Sequence, residues 1–446
     1  PEEVTNTPEE AAIIKDHGSL IAFGNKVQAC QEKKEECAEH DQLLDEQGAL
    51  MRVYKEKVEE LEQQVNPRLG KDKATLDPAH FKSKAKELVD ARPGTVLIYP
   101  LVLEDKLWIL WGATGEVLST IQVPVRQAQL EQAVIELRRL LENPASDAAR
   151  IKALGHQFYA WLLQPMEAEL KANRIQHLVF ALDRALRYIP MSVLFDGEHY
   201  LVEQYTLSTI VSADLTDTQD HLPAEIAQTP VLALGLSAAK AGFKPLPYVS
   251  AELDAIVQQP GIYPGMKFID DAFNFKALRN HLHGRKILHI ATHAAFVPGV
   301  KDSSFLLLGN GEKLKMTEVE ELSDLGDVHL VALSACQTAL GEKGQDGVEI
   351  NAMSYYFLNN GVKAVLASLW AVDDSSTSQL MRTFYSELAT AKVTKAQALR
   401  QAQLALLKGN AMGGSEGRGV EQTEDTVRRY DHPYYWAPFI LIGNGG

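Results

Sequence analysis

From Thr95 onward the apolar positions fall into two rhythms. The segment TVLIYPLVLEDKLWILWGATGEVLSTIQVPV (Thr95 to Val125) alternates β-rich runs with the turn signals EDK and TGE, which predicts an antiparallel meander. Two helical stretches follow, about Arg126 to Glu142 and Ser146 to Lys171, parted by the breaker Asn143-Pro144. Short and nearly continuous apolar runs then alternate with helical patterns: HLVFALD (His177 to Asp183), PVLALGL (Pro230 to Leu236), KILHIATH (Lys286 to His293), VHLVALSAC (Val328 to Cys336) and VKAVLASLW (Val362 to Trp370). That order predicts an α/β fold with a mainly parallel sheet covered by helices on both faces, and its chemistry in loops beyond the carboxyl ends of the strands. Upstream, Thr7 to Val65 is rich in Glu, Lys, Gln and Ala, and Met51, Tyr54, Val58, Leu61 and Val65 form one apolar seam. A helical hairpin or the end of a helical array fits this pattern, with no clean 34-residue repeat. It reads either as a docking or regulatory arm or as a structural helix packed on its neighbour. The breaker stretch Asn66 to Pro78 sets the expected boundary between a helical arm, 1–77, and an α/β domain, 78–446.

Composition narrows the class. A chain of 446 residues, 46% hydrophobic and 23% charged, belongs with globular proteins of two or three folding units. No apolar run reaches the roughly 18 residues a bilayer span needs, and PEEVTNTPEE has the features of neither a signal peptide nor an anchor. No membrane contact is expected. The sequence opens at Pro1, as in a processed chain, so targeting upstream of it stays open. A formal net charge of −15 opposes attraction to phosphate backbones or anionic lipid, so no direct nucleic-acid partner is expected. Of three cysteines, Cys30 and Cys37 are about 10 Å apart along a helix, too far to bridge. The absence of a disulfide framework points to a reducing, cytoplasmic setting.

Candidate chemistry appears at two strand ends. KILHIAT runs out at His293 and VHLVALSA runs out at Cys336. In a parallel sheet both emerge at one edge, where an imidazole can lower a thiol's pKa and later protonate a leaving amine. Ala294, Ala295, Ser334 and Ala335 are small, so a substrate backbone can approach, with Ser334 among its contacts. The backbone N–H groups of Cys336 and Ala294 are the candidate oxyanion donors. His289, four residues earlier, reads as a packed mid-strand residue. Free cysteines and strand histidines are more often core residues than catalysts, so spacing alone leaves the dyad open.

Several blocks in order resemble the CHAT family of caspase-like domains, which are related to separases and often accompany tetratricopeptide repeats. They are HIATHAAF (His289 to Phe296), ALSACQTALG (Ala332 to Gly341), the stretch from Asp346 to Asp374, and WAPFILIG (Trp436 to Gly443). The segment VFALDRALRYIPMSVLFDGEHYLVEQY (Val179 to Tyr205) and the meander also resemble family blocks, so the likeness runs from about Pro78 to Gly446. It implies a caspase-like sheet, a pseudo-protease-like half at 78–225 and a catalytic half at 226–446. It further implies a cysteine endopeptidase with His293 as base, Cys336 as nucleophile and no cofactor or metal. The sequence departs from the family where many members have Gly, at Ala294, and it lacks the QAC-R/Q/G-G caspase signature, so aspartate specificity is not implied. SLWAVDD (Ser368 to Asp374) is similar to a separase segment with an acidic pocket base, which implies Asp373 or Asp374 as partner of a basic P1 side chain. Asp374-Ser375-Ser376 equally suits a helix cap, and Asp183 is a weaker candidate for the same pocket.

The expected partners are a protein substrate and an activating protein engaged through the N-terminal helices, and family members of this kind serve in bacterial signalling and defence. GEKGQDG (Gly341 to Gly347) and GNAMGGSEGRG (Gly409 to Gly419) read as flexible loops, with Arg428-Arg429 a candidate self-processing site. The rival readings are a catalytically silent scaffold and an acyl-transferring thiol enzyme on the same fold.

Overall fold

A computed structural model describes residues 78–446 apart from 114–115, 214, 219, 258–260, 297–303, 316–317, 320–321, 323, 335–336, 339–347 and 410–429. The expected arm (1–77), Cys336, the loop 341–347, nearly all of the loop from Gly409 to Gly419 and Arg428-Arg429 lie outside the described residues. Of the two units into which the chain divides, Pro1–Phe81 and Lys82–Gly446, the sheet and the candidate site belong to the second.

Eleven strands form one sheet. Its first part is the expected meander, β1 (Thr95–Val102), β2 (Leu107–Ala113) and β3 (Glu116–Val123), paired antiparallel. It is no separate layer: β1 continues into β4 (His177–Phe180) in parallel, and β4 into β5 (Thr206–Thr209). The second part holds β6 (Val231–Gly235), β7 (Gly265–Ile269) and β8 (Ile287–Ala291), with β12 (Leu330–Leu333) and β14 (Ala364–Ser368), all parallel to one another. The last strand, β15 (Phe439–Gly443), joins the two parts, running parallel to β5 and antiparallel to β14. The order is therefore β3-β2-β1-β4-β5-β15-β14-β12-β8-β6-β7. A second sheet of very short strands, β9 (Ala294–Phe296), β10 (Phe305–Leu307), β11 (Lys313–Lys315) and β13 (Gln337–Thr338), carries the chain beyond the ends of β8 and β12.

Alternation along each strand fills two cores. In the central strands Val231, Ala233, Ile287, Leu330, Ala332, Ala364 and Leu366 face one side, while Leu232, Leu234, Leu288, Ile290, Val331, Leu333 and Val365 face the other. Both sides are buried, which explains the unbroken apolar runs. On the first side lie α2 (Gln127–Leu141) and α3 (Ala148–Leu162), then α4 (Val249–Ile256), α7 (Asp374–Leu388) and α8 (Lys395–Leu407). The other side buries α5 (Phe275–His281) and α6 (Val348–Asn359). α1 (Pro78–Asp90) covers a third, small cluster on the N-terminal strands through Ala85, Leu88 and Val89. The helix expected from Ser146 to Lys171 is cut short at Leu162: Pro165, with no N–H to continue the ladder, lies in a single 3₁₀ turn, Gln164–Met166, before helix resumes at Glu167.

Candidate functional site

The cross-strand register aligns the carboxyl ends of β6, β8 and β12: Gly235 pairs with Ala291, and Ile290 with Leu333. Ser334 continues this row, its N–H donating to Ile290 O at 2.9 Å, and it is buried. Two residues beyond Ala291 the chain reaches His293. Farther on, Gln337 pairs with Ala295 and Thr338 with Phe296 in β13 and β9. The two segments that carry the expected dyad thus run side by side before and after it.

His293 is half-buried and held from two directions. Its Nε2–H donates to the Lys244 carbonyl at 2.8 Å, and its ring stacks on Phe243 with centroids 4.8 Å apart. A carbonyl only accepts, so this contact fixes the proton on Nε2 and leaves Nδ1 as the basic nitrogen. Burial lowers the imidazole pKa, with the Lys244 carbonyl opposing in part, so His293 is neutral near pH 7 and competent to take a proton. Phe243 and Lys244 belong to the loop between β6 and α4. There Ala241 and Gly242 take positive φ and Phe243 N–H closes the turn on Lys240 O at 2.9 Å. The loop is anchored at its root by Asp270, which accepts from Ser237 N at 2.7 Å, Ser237 Oγ at 2.9 Å and Ala238 N at 3.0 Å. Partial burial pushes the Asp270 pKa up, but these hydrogen bonds prevail and hold it below the usual carboxylate range.

Ala294 is buried. Its partner across β9 and β10 is Leu306, while the bonded pair is the preceding one, in which Leu307 N–H donates to His293 O at 2.8 Å. By antiparallel alternation the Ala294 N–H therefore points away from β10. His289 is not part of this edge. It lies fully buried mid-strand, with Nδ1 3.1 Å from the Tyr385 hydroxyl and Nε2 2.9 Å from Glu252 Oε1, an approach too misaligned to count as a hydrogen bond.

The acidic candidates separate. Asp374 opens α7 two strand positions from β8, about 10 Å across the sheet, and its carboxylate accepts from Tyr248 N–H at 2.7 Å. The β6–α4 loop therefore binds His293 at Lys244 and Asp374 at Tyr248. Burial raises the Asp374 pKa to about 6, the Tyr248 N–H opposing and the nearby Glu252 and Asp373 adding to the rise. Asp373 is the N-cap of α7, accepting from Ser376 N at 2.9 Å. Asp183 follows β4, five strand positions from β8 or roughly 24 Å away, where it accepts from Val102 N at 3.1 Å and faces Arg187 at 3.8 Å. It holds a turn, and the structure does not bring it to His293.

Sequence reasoning did not single out Phe243 and Lys244. The loop SAAKAGFKPLPY, rich in small residues and proline beyond a strand's carboxyl end, was the available signal. A contact made by a backbone carbonyl leaves no residue-type mark. Among the described residues no cluster of His, Cys, Asp and Glu suits a metal ion, and no helix is long and apolar enough to cross a membrane.

A family model of the CHAT domain matches residues 152–444. Mouse (Mus musculus) tetratricopeptide repeat protein 28 is 22% identical over 64% of this chain and 13% of its own length, and the human (Homo sapiens) protein of the same name is 29% identical over 30% of this chain and 4% of its own. The chain thus spans a small fraction of these curated relatives. Similar solved structures include the Arg-specific cysteine proteinase gingipain R, at TM-score 0.37, 9% identity, and coverage of 72% of this chain and 74% of that one. The Saccharomyces cerevisiae separase–securin complex gives TM-score 0.39, 12% identity, and coverage of 97% of this chain and 27% of that one. With a mostly parallel sheet flanked by helices, and a family match over most of its length, the chain belongs to the CHAT-domain family.

Proposed function

We propose that the chain is a cysteine endopeptidase in which Cys336 is the nucleophile and His293 the base. The observation that carries this reading is the bracket around the dyad: Ser334 bonds to the β8 strand before His293, and Gln337 pairs with Ala295 just after it. A neutral His293, its Nε2 proton fixed by the Lys244 carbonyl, takes the thiol proton at Nδ1. The thiolate attacks the peptide carbonyl, and the oxyanion is met by the backbone N–H groups of Ala294 and Cys336. His293 then protonates the leaving amine, and water releases the acyl group.

The pocket base is Asp374, with Asp373 in second place because its carboxylate already caps α7. Asp374 is half-buried and joined to the same loop as His293, which suits recognition of an Arg or Lys side chain at P1. Control falls to the N-terminal segment, as the docking site of an activating protein. Cleavage of a peptide library, with P1 read by mass spectrometry, tests the whole reading. Wild type is expected to cut after basic residues, and Cys336→Ala and His293→Ala to cut nothing. A chain with no cleavage and no His293-dependent labelling of Cys336 by a thiol probe is a scaffold instead, and labelling without peptide cleavage is the mark of an acyl transferase.

A further inference from the structure

On the face of the sheet covered by α1, away from His293's loop, lies a cavity of about 210 Å³. Its lining includes the polar side chains of Arg92, Thr95, His177, Ser208, Thr218 and His221, and no Asp or Glu side chain among the described residues. Gly446 also lines it, its carbonyl taken by Lys395 Nζ. Among the described residues Arg92 donates one side-chain hydrogen bond, from Nη1 to Thr394 Oγ1 at 3.1 Å, and forms no ion pair. His177 is buried. Nε2 lies 3.2 Å from Ser208 Oγ, while Nδ1 has no partner among the described residues. Thr95 is likewise buried, and among the described residues its hydroxyl has no partner. Burial first and the Arg92 charge second depress the His177 pKa to about 3, so the imidazole is neutral and the guanidinium is the cation that defines the cavity.

Each of these features costs free energy when the cavity is empty. A buried donor or acceptor without a partner destabilises by about 1–3 kcal/mol, and native proteins rarely keep several at one place without an occupant. A guanidinium partly withdrawn from water adds to the cost. Water alone solvates the groups, and among the described residues no Asp or Glu side chain in the lining faces the guanidinium. The volume is many times the roughly 10–15 Å³ that one water requires, so a molecule of several heavy atoms fits.

We propose that this cavity binds a small molecule bearing an oxyanion, carboxylate or phosphate. Arg92 supplies the charge, and the Thr95, Ser208 and His177 side chains supply hydrogen bonds that fix its orientation. The site uses none of the residues assigned to peptide cleavage.

The test titrates the full chain with malonate and, separately, with inorganic phosphate, at constant ionic strength, following affinity by calorimetry and melting temperature by fluorimetry. One of the two is expected to bind and raise the melting temperature, and the one that does assigns the anion to a carboxylate or a phosphate source. Arg92→Gln is expected to weaken that binding about tenfold or more, the loss of one charged hydrogen bond. Cys336→Ala is expected to bind as wild type. Thr95→Val keeps the shape of the side chain, so it tests the site even if Arg92→Gln does not fold. It is expected to melt higher than wild type without ligand, because it removes the unpaired hydroxyl, and to bind the anion more weakly. Binding of neither probe, or equal binding by wild type, Arg92→Gln and Thr95→Val, overturns the proposal.

Discussion

Lys244 holds His293 through its main chain, so its side chain is dispensable to that contact, whereas the Phe243 ring is not. Lys244→Ala is therefore expected to keep kcat/KM near wild type on a peptide substrate. Phe243→Ala loses a stacked ring worth about 1 kcal/mol, roughly a fivefold fall in the same constant. Asp374 makes a second prediction. Its carboxyl group has a folded pKa raised to about 6 from 3.8, so the folded chain holds this proton more tightly than the unfolded one. The stability this group confers is present below pH 3.8 and is lost as the pH rises to about 6. The same ionisation creates the charge that a P1 arginine needs. Cleavage after arginine is expected to rise through about pH 6, and Asp374→Asn to flatten both that rise and the acid-side shift in melting temperature. His293 and Cys336 stand out in the sequence because apolar runs end on them. Lys244 does not, since what it contributes is a carbonyl every residue possesses.

At the scale of single elements, Asp373 and Asp374 stand side by side and do different work. Asp373 satisfies the first turn of α7, and Asp373→Ala is expected to cost about 1 kcal/mol in denaturant unfolding while leaving P1 preference intact. Asp374→Asn is expected to do the reverse, changing preference more than stability. The five apolar runs of the sequence each became a strand, because a strand buried on both faces is apolar at nearly every position. The small second sheet escaped notice. Its strands are two or three residues long, too short for any period to show. The break after Leu162 escaped as well, since an apolar helical rhythm continues across Gln164-Pro165.

Across the whole Lys82–Gly446 unit, one side chain ties the first half of the sheet's covering to the second. Arg138, on α2, is fully buried and donates to Tyr188 O at 2.7 Å and to Leu369 O just past β14, with Glu142 beside it and the Trp370 ring 5.2 Å away. Arg138→Leu leaves these acceptors in a low-dielectric interior and is expected to cost about 3 kcal/mol, measured by urea unfolding of the whole chain. No pattern reveals such an arginine, which in sequence is one of a pair on an ordinary amphipathic helix.

β15 has a consequence for how the chain is made. It lies between β5 and β14, yet it follows every other strand of the sheet in sequence, more than two hundred residues after β5. On a ribosome, β5 and β14 must each wait with an unpaired side until Phe439–Gly443 has been synthesised. The nascent chain can assemble its two groups of strands separately, but the continuous sheet beneath His293 forms only once this last strand arrives. Under the proposed cleavage activity, the continuous sheet that supports His293 is complete only with β15, so a chain halted before Phe439 is expected to leave peptide substrates uncut.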